Sequence, residues 1–218
     1  MDANFWHDRW QKGQTGFHEG RANGLLTRHW EAIGLPPGAT VLVPLCGKSV
    51  DMWWLRDRGA RVIGAELSEK AVARFFDEAG VTPTRVPAGA LTRWEGDGVA
   101  ILEGDVFDLD ARTLGPVGAV YDRAALVALP QPLRRRYAAH IAGITGAAPQ
   151  MLITFAYDQA AMDGPPFSVD AAEVAACHGG TYACAALETR DVAGGFRGRV
   201  AASETLWHLT RPADGAAP

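Results

Sequence analysis

Val41-Leu42-Val43-Pro44-Leu45-Cys46-Gly47-Lys48-Ser49 is a short apolar run that breaks on a glycine, and Glu66 follows that glycine by nineteen positions. Between them a helical stretch leads into a second apolar run, Arg61-Val62-Ile63-Gly64-Ala65-Glu66, which ends on the carboxylate. A strand, a tight turn, a helix and a second strand closed by an acid form the layout of a nucleoside site in a doubly wound α/β domain. The glycine lets the backbone approach a ligand, and the carboxylate accepts hydrogen bonds from ribose hydroxyls. The run contains no G-x-G-x-x-G, so no loop is built to wrap a pyrophosphate on a helix N-terminus. A cofactor with a ribose and no phosphates fits this pattern, and S-adenosyl-L-methionine is one.

Outward from this pair, alternation of apolar runs and helical patterns predicts five core strands. They are Val41 to Leu45, Arg61 to Glu66, Val99 to Glu103, Gly118 to Asp122 and Gln150 to Phe155. A closing hairpin, Tyr182 to Glu188 and Glu204 to Thr210, brings the expected sheet to seven strands, mostly parallel with an antiparallel edge and helices on both faces. Ser49 and Ser68 are placed to cap the helices that follow strands one and two. The stretch from Pro83 to Asp97 gives only a weak strand or turn signal. At 218 residues, with no repeat or linker, a single domain over 1–218 is expected. Residues 1–35 would form a helical extension or lid, and 212–218 a frayed tail.

Composition narrows the function classes. A formal net charge of -4 disfavours nucleic acid as a partner, because phosphate binding wants a basic face. Arg134-Arg135-Arg136, the one basic run, reads as a solvated helix face. The three cysteines and six histidines lack the spacing of a disulfide framework or a metal site, so neither is expected. The N-terminus has no secretory pattern and no apolar run could span a bilayer, so the expectation is a cytoplasmic monomer without membrane contact.

Candidate site residues follow from where strands end, because ligands of open α/β sheets bind beyond the carboxyl ends. Glu66 is the ribose acceptor. Asp105, with Val106, ends the third strand, where an adenine contact or a solvated turn residue are both open readings. Arg123 follows a buried strand; it either pairs structurally with Asp122 or steadies an anionic sulfur or oxygen of a substrate. Phe5, Trp6, Trp10 and Phe17 precede the first strand. They either pin an extra helix onto the sheet or offer faces to a sulfonium and a heterocycle. Cys46 has no neighbouring base and reads as packing. No triad or metal motif appears, which suits methyl transfer: the sulfonium is already activated, and the protein has only to align donor and acceptor.

Taken together, Phe5-Trp6-His7-x-Arg9-Trp10, Thr15-Gly16-Phe17-His18, Val43-Pro44-Leu45-Cys46-Gly47-Lys48-Ser49, Gly64-x-Glu66-Leu67-Ser68, Tyr121-Asp122-Arg123-Ala124-Ala125-Leu126-Val127-Ala128-Leu129 and Gly164-Pro165-Pro166-Phe167 resemble the bacterial thiopurine S-methyltransferase family nearly end to end. That resemblance implies a class I methyltransferase fold. It also implies S-adenosyl-L-methionine as cofactor and methylation of sulfur on aromatic or heterocyclic thiols such as 6-mercaptopurine. Some bacterial relatives are associated with selenium or tellurium compounds, so soft nucleophiles of metalloid detoxification are the alternative acceptors. By position, Trp10, Leu45, Glu66 and Arg123 match the family's cofactor-site residues, Asp105 and Val106 the adenine-contacting pair, and Phe17 a substrate-side aromatic. Arg197, in a short glycine-rich connection, is the candidate second substrate-side arginine. No catalytic acid or base is assigned, Arg123 being the candidate stabiliser of the acceptor anion. A cofactor sensor without turnover and an NAD-linked dehydrogenase are the readings from other classes; the missing dinucleotide motif opposes the second.

Overall fold

The computed structural model describes residues 3–14, 19–196 and 198–212. Two compact units divide the chain, Met1–Val120 and Tyr121–Pro218.

In the first unit, helix α1 (Ala3–Gln11) and helix α2 (Gly24–His29) precede strand β1 (Thr40–Pro44). Then come α3 (Asp51–Asp57), β2 (Arg61–Glu66), α4 (Glu69–Glu78), β3 (Thr84–Ala88), β4 (Leu91–Gly96), β5 (Val99–Glu103) and the single turn α5 (Ala111–Leu114). Strand β6 (Ala119–Arg123) begins in this unit and ends in the next. The second unit continues with α6 (Gln131–Ile144), β7 (Gln150–Tyr157), α7 (Ala171–His178), β8 (Ala183–Asp191) and β9 (Ala202–Thr210).

Strands in the first unit run in the order β3-β4-β5-β2-β1, with Ala119 and Val120 of β6 beside β1. β1, β2 and β5 are parallel, in register from Thr40↔Arg61 and from Val62↔Val99. Their residues are buried nearly without alternation, as parallel strands covered on both faces require. In the second unit β7 lies next to β6, and β9 pairs antiparallel with both β7 and β8.

The five core strands and the closing hairpin stand where the apolar runs place them, within a few residues at each end. The count differs, however: nine strands are present among the described residues, not seven. The two extra ones are the antiparallel hairpin β3–β4, which joins β5 through Thr92↔Glu103 to Gly96↔Val99. Its pattern was weak for a physical reason. β3 is exposed along almost its whole length and contains Pro87, which suits a strand with one unpaired side. Only Leu91 and Trp94 of β4 are buried.

Two smaller expectations need correction. Ser68 caps α4 as expected, its side chain accepting from Ala71 N. Ser49 does not cap α3: the cap position is Val50, with no side-chain bond, and Ser49 Oγ only accepts a long 3.3 Å contact from Asp51 N. Arg134 is not part of a solvated face. It is 4% exposed, donates to Leu129 O at 2.9 Å and pairs with Glu173 at 3.2 Å, while Arg135 and Arg136 are exposed. A guanidinium can be buried there because both its charge and its donors are met.

Candidate functional site

Glu66 is the organising residue of the first unit's rim. It closes β2, is 7% exposed, and its two carboxylate oxygens are held from two sides. Gly47 N–H donates to Oε2 at 2.8 Å, and Ser68 N–H donates to Oε1 at 2.8 Å. The carboxylate therefore bridges the turn after β1 and the turn before α4. Burial pushes its pKa up to about 7, against the lowering pull of the Ser68, Gly47 and Leu67 amides. Each oxygen keeps a second lone pair for another donor.

The turn carrying Gly47 is bent to make this bridge. Leu45 sits at φ 48 and Gly47 at φ 54. A left-handed leucine is uncommon, and such strain persists where surrounding structure fixes it. Here Cys46 N–H donates to Ala65 O at 3.0 Å, which anchors the turn between its two unusual residues. Cys46 is 5% exposed, and burial, with the Glu66 charge second, raises its thiol pKa well above the ordinary value. It is thus no nucleophile. Its seat is Gly64: a β-carbon there would stand 2.6 Å from Cys46 Sγ.

β5 brings the next two candidates to the same rim. Gly104 N–H donates to Glu66 O at 2.9 Å, so Asp105 and Val106 begin the turn beyond Glu66. Asp105 is exposed, and its Oδ1 accepts from Phe107 N at 2.9 Å. One of its oxygens is thereby engaged in capping the short 3-10 turn Val106–Asp108. Trp10 comes from α1 and is 2% exposed. Lys70, in the first turn of α4, donates to Gln11 O at 3.3 Å, which brings the carboxyl end of α1 to the amino end of α4. Leu45, Glu66, Asp105, Val106 and Trp10 thus belong to one unit, with β1, β2 and β5 presenting four of them at or just beyond their carboxyl ends.

In the second unit, Arg123 is the last residue of β6, half-buried, and is followed by Ala124 at φ 63. Its neighbour Asp122 points into the core. Tyr137 Oη donates to Asp122 Oδ2 at 2.7 Å, and Leu126 N–H donates to Oδ1 at 3.1 Å. Burial raises the Asp122 pKa to about 6, opposed first by the Tyr137 hydroxyl and then by the amides of Leu126 and Ala125. Asp122 is thereby a brace for the segment after Arg123. Tyr137 was not legible as its partner, because helix α6 shows the tyrosine only as one more apolar position. Phe17 and Arg197 lie outside the described residues, as does the tail beyond Pro212.

No group of His, Cys, Asp or Glu suited to a metal ion occurs among the described residues. The donor set suits a ribose: a buried carboxylate with fixed orientation accepts hydroxyl donors, and a glycine turn beside it leaves backbone access.

The chain is similar over residues 1–211 to the family described as Thiopurine S-methyltransferase. A thiopurine S-methyltransferase of Gluconobacter oxydans is 49% identical over 209 residues, covering 96% of this chain and 95% of that one. One from Xanthobacter autotrophicus is 50% identical over 212 residues, covering 97% and 100%. Among solved structures, magnesium protoporphyrin IX methyltransferase from Synechocystis with bound SAH superposes with a TM-score of 0.60 at 16% identity. That match covers 96% of this chain and 100% of that one. At such identity it speaks for the class I methyltransferase fold alone.

Proposed function

The chain belongs to the thiopurine S-methyltransferase family, and from that premise we propose that it methylates the sulfur of a small aromatic or heterocyclic thiol. It is a methyltransferase, and its methyl donor is S-adenosyl-L-methionine, which supplies an activated methyl group on a sulfonium. The observation that carries the cofactor reading is the Glu66 carboxylate, buried and held by the Gly47 and Ser68 amides.

Each residue then has a definite task. Glu66 accepts the two ribose hydroxyls with its remaining lone pairs, and its own two amide bonds keep it from rotating away. Leu45 and the left-handed turn at Gly47 line the approach to the methionine portion. Trp10 packs over the adenosine, and Asp105 and Val106 border the adenine. Arg123 places a permanent cation where the acceptor thiolate sits, favouring the ionised, nucleophilic form without a general base. Phe17 and Arg197 are proposed as the substrate side, and residues 1–35 as the segment that excludes water. The acceptor is proposed as a small molecule and the chain as a monomer; among the described residues no helix is long and apolar enough to cross a membrane.

Calorimetry with S-adenosylhomocysteine tests the cofactor half. Glu66→Gln keeps the shape and one donor-acceptor pair but loses the charge, and affinity is expected to fall at least tenfold with the fold retained. Equal affinity would remove Glu66 from the site. Turnover on 6-mercaptopurine and thiophenol, beside selenite-derived and tellurite acceptors, tests the other half. Methylation of the metalloid species alone would replace the thiol reading with the metalloid one.

A further inference from the structure

The turn after β1 is held from more than one side, and one of its attachments has no part in the site described above. Gly47 N–H is taken by Glu66 at the end of β2, and Lys48 Nζ lies 2.5 Å from Glu78 Oε1 at the end of α4. Both tie the turn to elements that follow it in the chain. From the amino-terminal side the tie is Asp51, the first residue of α3. Its Oδ1 accepts from Asn23 N–H at 2.7 Å. Asp51 is 0% exposed and Asn23 1%, so this bond is made away from water, where an unmet donor is most costly.

Asn23 is committed in two directions at once. Its backbone N–H goes to α3, while its side-chain Oδ1 caps α2, accepting from Leu25 N–H at 2.8 Å and Leu26 N–H at 3.3 Å. With the oxygen so occupied the amide cannot turn over, and Nδ2 is left buried without a partner. An apolar side chain would remove that orphaned donor, but it could not cap α2. The residue therefore joins the starts of two helices, at the expense of its own amide nitrogen.

The path from Asp51 back to Gly47 is short and stiff. Ser49 N–H donates to Cys46 O at 3.1 Å, and Met52 N–H donates to Ser49 O at 3.2 Å. Packing adds a second constraint. A β-carbon at Gly64 would stand 2.6 Å from Cys46 Sγ and 3.1 Å from Met52 Sδ. The chain neighbours of Gly47 and of Asp51 thus share one seat over Gly64, two residues before Glu66, and a close-packed seat lets neither shift alone. A change at the start of α3 must then move the Gly47 amide relative to the carboxylate it clamps.

We propose that Asp51 is a positioning residue of the cofactor site. Paired with Asn23, it fixes the start of α3, and through the turn from Cys46 to Met52 it aims the Gly47 N–H at Glu66 Oε2. Its carboxyl is buried against Asn23, so its effect on the cofactor passes through Gly47. This rests on the reading of Glu66 as the ribose acceptor, and it extends the site to a pair of residues set behind the rim.

The test reads the Gly47 amide directly. Hydrogen exchange of the Gly47 and Ser68 amides is followed by NMR in the isotope-labelled wild-type chain, in Asp51→Ala and in Asp51→Asn, and binding of S-adenosylhomocysteine by calorimetry. Ile141→Ala, at a buried position of α6, controls for lost stability alone. Asp51→Ala is expected to speed Gly47 exchange about tenfold, to leave Ser68 within about threefold, and to weaken S-adenosylhomocysteine about tenfold. Asp51→Asn, which keeps an acceptor for Asn23, should recover most of both losses. Should Asp51→Ala not fold, Asp51→Ser, whose oxygen stands one bond further back from Asn23, takes its place with the same expectation. Gly47 protection unchanged in the folded variant, or an equal change in Ile141→Ala, would overturn the role. If instead Glu66→Gln binds S-adenosylhomocysteine as the wild type does, the ribose reading fails, and the exchange comparison still decides the place of Asp51.

Discussion

In the proposed cofactor site, Glu66 is the residue that couples binding to pH. Its folded pKa of about 7 lies above its ordinary value of 4.5 because burial disfavours the charge. A raised carboxyl contributes stability that is fully present below the unfolded value and is lost as pH rises through the folded one. Without cofactor, Glu66 therefore weighs against folding above pH 7, by on the order of 3 kcal/mol at about 1.4 kcal/mol per pH unit. Under the proposed ribose role, hydroxyls donate to the ionised form, so binding pulls the pKa down. Affinity for S-adenosylhomocysteine is expected to be about tenfold weaker at pH 6 than at pH 8, and Glu66→Gln should flatten that profile. Calorimetry across the range gives the answer, a flat wild-type profile being the adverse result. At Gly64 the constraint is steric. Gly64→Ala drives a methyl against Cys46 Sγ, and overpacking of this kind costs about 1–3 kcal/mol. Adding Cys46→Ala should recover much of that loss in urea denaturation, and Cys46→Ala alone should leave turnover intact.

Among the elements, α6 has the most to do beyond covering the sheet. Tyr137 braces Asp122, while Arg134 reaches Leu129 O, Glu173 on α7 and, at 5.7 Å, the face of Phe167. One helix thus fixes both the segment following Arg123 and the Gly164–Phe167 loop. Tyr137→Phe removes a hydroxyl bonded to a buried carboxylate and is expected to cost about 1–3 kcal/mol. The sign of its pH dependence is specific. Tyr137 stabilises the ionised form of Asp122, whose pKa of about 6 would rise further without it. The loss should therefore be larger at pH 8 than at pH 5, and a pH-independent loss would mean that packing alone is at stake. The hairpin β3–β4 contributes differently: it pairs with β5 and so extends the sheet.

For the whole molecule, the family relation runs over residues 1–211 and so spans both compact units. A ligand that binds only the folded chain stabilises it by mass action, about 2.7 kcal/mol at a hundredfold excess over Kd. For a chain of this length each kcal/mol raises the melting temperature by about 2–4 °C. S-adenosylhomocysteine at that excess should accordingly raise the melting temperature by roughly 5–10 °C, a shift that calorimetric scanning resolves easily. NAD, lacking a loop for its pyrophosphate, should produce none.

The sequence by itself determined the parallel core and the cofactor class, because both depend on patterns that are local. Apolar runs of strand length, a glycine at a turn and an acid at a strand end carry their physics in a few adjacent residues. Glu66 and Arg123 could be named as candidates for that reason, whereas Leu45 came from the family resemblance. Tertiary structure alone decided what depends on distant partners. It showed that Glu66 is clamped by two amides, that Asp122 answers to Tyr137, and that Cys46 fills the space left by Gly64. It also revealed β3, whose exposed and proline-containing strand has no apolar pattern to read, and the buried place of Arg134. Asn23 belongs to the same group: it stands 28 positions before Asp51, and only the fold brings its amide to that carboxyl.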